Sequence, residues 1–187
     1  MSNIIKKTII LCGLPGCGKT TVGNCLAEKI SSSFIDVDTL IEKEYADTMG
    51  ELLTCRQIFA HQGVPFFREL EKRVISSLAQ KSHQDAIISI GGGAMENPEN
   101  VKVLKSIGLV VYLKVNLKEL FKRINRKGLP AYLDPADPLG SFEKLAQKRI
   151  PIYSNAADIE IEADSLTPEE IATKIVEKIL QIGKSTY

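Results

Sequence analysis

Gly13-Leu14-Pro15-Gly16-Cys17-Gly18-Lys19-Thr20 follows the apolar run Lys7-Thr8-Ile9-Ile10-Leu11-Cys12 and precedes Thr21-Val22-Gly23-Asn24-Cys25-Leu26-Ala27-Glu28-Lys29-Ile30. The octet has the form G-x-x-x-x-G-K-[ST], a loop that wraps a polyphosphate in successive backbone N–H groups. Glycines are needed where a side chain would block that approach or forbid the backbone angles. Lys19 is expected to meet the β- and γ-phosphates, and the Thr20 hydroxyl a magnesium ion. Gly13, Gly16, Cys17, Gly18, Lys19, Thr20 and Thr21 are the expected nucleotide contacts. The flanks support this reading. The first has the composition of a buried strand, and Val22, Leu26 and Ile30 recur at helical spacing. Strand, glycine loop, helix is the required order, and the helix N-terminus adds its partial positive charge to the anion site.

The chain has 187 residues, 44% of them hydrophobic, and a formal net charge of +1. That suits one α/β domain over 1–187 and argues against a broad nucleic-acid surface. No apolar run approaches the roughly 20 residues of a membrane span. The first residues lack the apolar core of a signal peptide, so a cytoplasmic protein is expected. Cys12, Cys17, Cys25 and Cys55 read as reduced thiols. Cys12 and Cys25 suit a core. Cys17 is either structural or a thiol with a depressed pKa at the helix N-terminus.

Strand-like runs recur at 8–12, 33–37, 86–90, 108–113 and 158–161, with helical patterns between them. This alternation predicts a three-layer α/β/α fold with a mostly parallel five-stranded sheet. Helices are expected over 52–62, with Leu52, Ile58 and Phe59 buried, and over 66–81, separated by Gly63-Val64-Pro65. Others are expected over 117–124, over 141–153, bent or ended by Pro151, and from Asn97-Pro98. The last starts at Thr167-Pro168-Glu169-Glu170, where Thr167 caps and Glu170 answers it. The polar, proline-rich stretch around Pro130 reads as a mobile loop, with a lid at about 124–140.

Phe34-Ile35-Asp36-Val37-Asp38 ends the second run. Two residues apart on a strand share a face, so Asp36 and Asp38 are expected either to face Lys19 together or to form a structural ion pair. Ala86-Ile87-Ile88-Ser89-Ile90 enters Gly91-Gly92-Gly93, which is either a flexible turn or a place where a ligand meets bare backbone. Arg68 and Arg149 are candidate clamps that bind a carboxylate through bidentate hydrogen bonds.

With these motifs in this order, the chain resembles a shikimate kinase over nearly its whole length. The aspartate pair, Phe67-Arg68-Glu69-Leu70-Glu71, the triple glycine and Arg149-Ile150-Pro151-Ile152-Tyr153 are more specific than the phosphate loop. The resemblance implies a P-loop kinase fold and ATP-dependent phosphorylation of the shikimate 3-hydroxyl, in the route to chorismate and the aromatic amino acids. It implies that Asp38 holds the substrate hydroxyls and that Asp36, with Thr20, positions Mg2+. Arg68 and Arg149, helped by Gly91, Gly92 and Gly93, grip the carboxylate within a substrate region at about 38–81. Arg123 lies against adenine, and Asp164-Ser165-Leu166-Thr167 closes over the base. Shikimate and ATP are the expected partners of a monomer, without nucleic acid or membrane.

The chain departs from the family twice. The lid usually reads R-P-L-L, and its arginine reaches the transferring phosphate. Here Leu129-Pro130-Ala131-Tyr132-Leu133 puts leucine in that place. Arg126 or Lys127 is expected either to substitute or merely to solvate the loop. The interval between Asp38 and Arg68 is also longer than usual, around 48–54. A gluconate-kinase-like enzyme, a nucleotide-dependent binding protein without transfer activity and a shikimate-binding pseudoenzyme are the alternative readings.

Overall fold

The structure, a computed structural model, describes residues 7–80, 85–126, 128–130 and 132–184. Five strands form its centre: β1 (Thr8–Cys12), β2 (Phe34–Asp36), β3 (Ile87–Ser89), β4 (Gly108–Lys114) and β5 (Ile159–Glu162). Their order is β2-β3-β1-β4-β5, and every pair is parallel. The register sets Ile9 beside Ile87 and Leu109, and Leu11 beside Ser89 and Val111. Every residue of β1 is buried. Alternate side chains point to opposite faces, so both faces of the sheet are covered.

Among the described residues, seven α-helices supply that cover: α1 (Lys19–Ile30), α2 (Val37–Met49), α3 (Cys55–Gln80), α4 (Pro98–Ile107), α5 (Leu117–Arg126), α6 (Pro138–Ala156) and α7 (Pro168–Lys184). Helix α1 packs on α7, and α3 packs on α2 and α4. Their starts follow from local chemistry. Asn97 caps α4 through the Glu99 N–H, and Asp137 caps α6 through the Gly140 N–H. At α7 the capping is reciprocal. The Thr167 N–H donates to Glu170 Oε2 at 2.7 Å, and the Glu170 N–H donates to Thr167 Oγ1 at 3.2 Å.

Several boundaries differ from the sequence reading. Strand β2 stops at Asp36, and Asp38 lies in the first turn of α2, so the two acids do not share a strand face. Asp36 caps α2 instead, accepting the Asp38 N–H at 3.1 Å. Local capping overrides the β-branched composition of the run. Helix α3 begins at Cys55 rather than 52, and Leu52 is exposed. The break at Gly63 is a kink with φ 78° and ψ 173°, and the helical path resumes through Pro65. Residue 81, expected at the end of this helix, lies outside the described residues. Helix α6 passes Pro151 and reaches Ala156. Among the described residues, no helix is long and apolar enough to cross a membrane.

Candidate active site

At the carboxyl ends of β1, β2 and β3 lies a cavity of about 810 Å³. Crossover connections leave ligand space at this end of an open parallel sheet. Its walls include Gly16, Gly18, Lys19, Thr20, Thr21, Asp38, Arg68, the three glycines and Arg149. Residues remote in sequence therefore meet in one chamber, with both candidate clamps in the same space as Lys19.

The phosphate loop holds its shape through backbone conformations closed to most side chains. Gly18 has φ 95° and caps α1 without a side chain. Gly13 is equally constrained, with φ 142° and no room for a Cβ, which would stand 2.8 Å from the Leu113 carbonyl oxygen. Lys19 lies across the loop and donates to the carbonyls of Gly13 at 2.9 Å and Leu14 at 3.2 Å. The buried Cys17 thiol sits beneath it, with Sγ 3.7 Å from Lys19 Nζ. Arg123 donates through Nη1 to the Gly16 carbonyl at 3.4 Å and is steadied by Glu119 at 3.0 Å. It thus lies against the loop's outer edge.

Thr20 Oγ1 donates to Asp36 Oδ2 at 2.9 Å. Among the described residues, no group of three or more His, Cys, Asp or Glu forms a metal cage. A hydroxyl beside one carboxylate fits a magnesium ion that keeps its waters and takes other oxygens from phosphate. Asp38 lines the cavity from the first turn of α2, two positions after Asp36. Burial of its carboxyl and the neighbouring Asp36 charge push its pKa above the ordinary aspartate value, while Lys19 and Arg68 pull it back.

The opposite end is built from paired ions. Arg68 Nη1 donates to the buried Glu71 Oε2 at 2.7 Å, and its Nη2 lies 3.9 Å from Glu96 Oε1. Arg149 is buried and meets Glu96 Oε1 through Nε at 2.8 Å and Nη2 at 2.7 Å. Lys148 pairs with the other Glu96 oxygen. Desolvation resists ionisation of Glu96, but Lys148 and Arg149 outweigh it and hold its pKa below the ordinary glutamate value. At Glu71 the balance reverses: burial raises its pKa despite Arg68.

The triple glycine is explained by close approach. A Cβ on Gly92 would stand 3.0 Å from the Pro15 ring, and one on Gly93 would strike the Arg68 guanidinium. The buried Tyr153 hydroxyl donates to the Gly92 carbonyl and ties α6 to this turn. The Arg149 guanidinium also lies over the Tyr132 ring, 5.8 Å from its centroid.

A family model described as shikimate kinase matches residues 15–180. The chain belongs to the shikimate kinase family. It is 37% identical over 170 residues to a shikimate kinase of Caldicellulosiruptor bescii, covering 91% of this chain and 94% of the relative. It is 38% identical to that of Caldicellulosiruptor saccharolyticus, with the same coverage. The structure matches shikimate kinase from Acinetobacter baumannii in complex with shikimate at a TM-score of 0.85, with 31% identity and 95% of each chain covered. Shikimate kinases are phosphotransferases with an alcohol acceptor, and the parallel sheet with flanking helices is their fold.

Among the described site candidates, Gly13, Cys17, Asp36, Arg123 and Arg126 are not part of the cavity wall. Arg126 ends α5 as an exposed side chain rather than sitting on a loop, and it is absent from the cavity wall. Lys127 lies outside the described residues. Four wall residues escaped the sequence reading: Arg56, Glu96, Tyr132 and Lys148. None belongs to a local pattern. Their partners are 17 to 73 positions away, which no periodicity reveals: Arg149 for Tyr132, Lys148 and Arg149 for Glu96, and Leu129 for Arg56.

Proposed function

We propose that this chain transfers the γ-phosphoryl group of ATP to the 3-hydroxyl of shikimate, giving shikimate 3-phosphate and ADP. One observation carries the reading: Lys19 on a bare-amide loop and the Arg68–Arg149 pair line one chamber, with Asp38 also in its wall. The triphosphate occupies the phosphate loop. Lys19 exchanges its carbonyl partners, Gly13 and Leu14, for phosphate oxygens. The acid end takes the substrate carboxylate on Arg149 and Arg68, and Asp38 receives the ring hydroxyls. Thr20 and Asp36 are the residues that would hold magnesium, which supplies positive charge at the phosphate oxygens when bound.

In the transfer, the shikimate 3-oxygen forms a bond to the γ-phosphorus. The bond to the β–γ bridging oxygen breaks, and its electron pair leaves with ADP. Asp38 orients the hydroxyl and accepts its proton. Phosphoryl transfer depends mainly on such alignment and on charge stabilisation. Gly91, Gly92 and Gly93 line the acid end, and Arg123 lies at the edge towards the base. We take residues 1–187 as one kinase domain acting as a cytoplasmic monomer, with a substrate region at about 38–81 and a lid at about 124–140 that excludes water.

A coupled ADP-release assay with shikimate, quinate and gluconate tests this. Selective turnover with shikimate is expected. Bound nucleotide with no acceptor-dependent ADP release would overturn the reading.

A further inference from the structure

Among the described residues, five cationic side chains line the cavity: Lys19, Arg56, Arg68, Lys148 and Arg149. Arg68 is neutralised by Glu71, and Lys148 and Arg149 share Glu96. Among the described residues, only Lys19 and Arg56 of these five lack an acidic partner within ion-pair distance. Lys19 belongs to the phosphate loop. Arg56 shares the cavity wall from the first turn of α3.

Arg56 Nη2 donates to the Leu129 carbonyl at 2.7 Å. Its Nη1 lies against the Gly128 bend, 3.6 Å from where a Cβ on that glycine would stand. A guanidinium carries five N–H donors in a rigid fork. One is committed to Leu129, and no other hydrogen bond from Arg56 is formed among the described residues. The side chain therefore carries an uncompensated charge and free donors at the wall of a chamber shared with Gly18, Lys19 and Thr20.

The chemistry requires a cation in such a place. In phosphoryl transfer, negative charge is spread over the three equatorial oxygens of the moving group. Lys19 and the loop amides approach those oxygens from the nucleotide side. Arg68 and Arg149 are already committed to carboxylates, and Arg126 lies outside the chamber. We propose that Arg56 is the second cationic contact of the transferring phosphoryl group, oriented by the Leu129 carbonyl. The lid segment thus supplies a backbone acceptor where a charged side chain was expected, and α3 supplies the charge. This inference rests on the proposed phosphoryl transfer.

The test compares Arg56→Ala and Arg56→Lys with the wild-type chain. Arg56 is exposed, so both variants are expected to fold, as circular dichroism would verify. Arg56→Ala is expected to lower kcat about 100-fold or more, with KM for shikimate and ATP within about threefold. Binding of ADP with aluminium fluoride and shikimate, measured by calorimetry, should weaken by a similar factor, while binding of ADP alone should not. Arg56→Lys should recover part of kcat, because it restores charge without the fork. Millimolar guanidinium should raise kcat of Arg56→Ala but not of the wild type. A kcat within threefold of wild type, a loss confined to KM, or equal weakening of ADP alone would overturn the proposal while leaving an active wild-type kinase in place. A wild-type chain that releases no ADP on adding shikimate would remove the underlying reading, and this inference with it.

Discussion

The two ends of the cavity treat positive charge differently. At the acid end, Arg149 and Lys148 share Glu96, and Arg68 is held by Glu71. At the phosphate end, Lys19 rests on two neutral carbonyls, and in the wall beside the Gly128 bend Arg56 rests on one. Pairing offsets part of the desolvation cost of burying these ions and fixes the orientation of each guanidinium fork. Cations leaning on neutral acceptors keep their full charge for an arriving triphosphate. Among the described residues the cavity wall thus separates compensated cations from uncompensated ones, the division that the proposed transfer between two anions would use.

The largest break in this comparison should come from Lys19→Met. Steady-state kinetics should show kcat lower by roughly 10²–10³-fold. The melting temperature should barely move, because among the described residues Lys19 hydrogen-bonds neutral groups alone. A large thermal destabilisation would mean that Lys19 belongs with the structural ions of the acid end.

Asp38 stands between the two ends, and pH reads its surroundings. Its carboxyl is raised by burial and Asp36 and lowered by Lys19 and Arg68. The acid limb of kcat/KM should therefore lie above the ordinary aspartate value, with activity lost as pH falls through it. In Lys19→Met the limb of the residual activity should move to higher pH, since a cation favouring the carboxylate is gone. For stability the sign is set by linkage. The folded chain holds this proton longer than the unfolded one, so ionising Asp38 costs stability as pH rises from the unfolded value through the folded one. Asp38→Asn removes that cost, and thermal melts across pH would detect its absence. A limb at the ordinary aspartate value would show that water screens the site.

The smallest effect sharpens the comparison at the acid end. Glu96→Gln keeps an oxygen acceptor for Arg149 but removes the charge that competes with a bound carboxylate. KM for shikimate should fall about two- to twelvefold, the range of one hydrogen bond's net worth, with kcat unchanged. A higher KM would show that Glu96 serves mainly to hold Arg149 in place.

Much of this site was legible in the linear chain where its parts interact locally. The phosphate loop, its strand and its helix lie within 23 residues of continuous sequence. The Thr167–Glu170 reciprocal cap spans three positions. Arg68 and Arg149 were legible through their motifs, but their carboxylate partners were only half so. Glu71 lies three residues from Arg68 on one helix face, whereas Glu96 is 53 positions from Arg149. The Asp36–Asp38 geometry was misjudged because an alternating strand pattern and a helix N-cap use the same short segment, and the cap prevailed.

The sequence by itself determined the alternation of strands and helices, the phosphate-loop motif with its strand and helix, and the motifs that carry Arg68 and Arg149. Each depends on backbone preference, capping or spacing within a few turns of chain. Tertiary structure alone decided which cations are neutralised and which stay free. The Arg56–Leu129 bond joins residues 73 positions apart, and only the folding of α3 and the segment after α5 around one sheet end brings them together. Electrostatic pairing acts over a few ångströms of space, and the order of residues along the chain does not encode that distance.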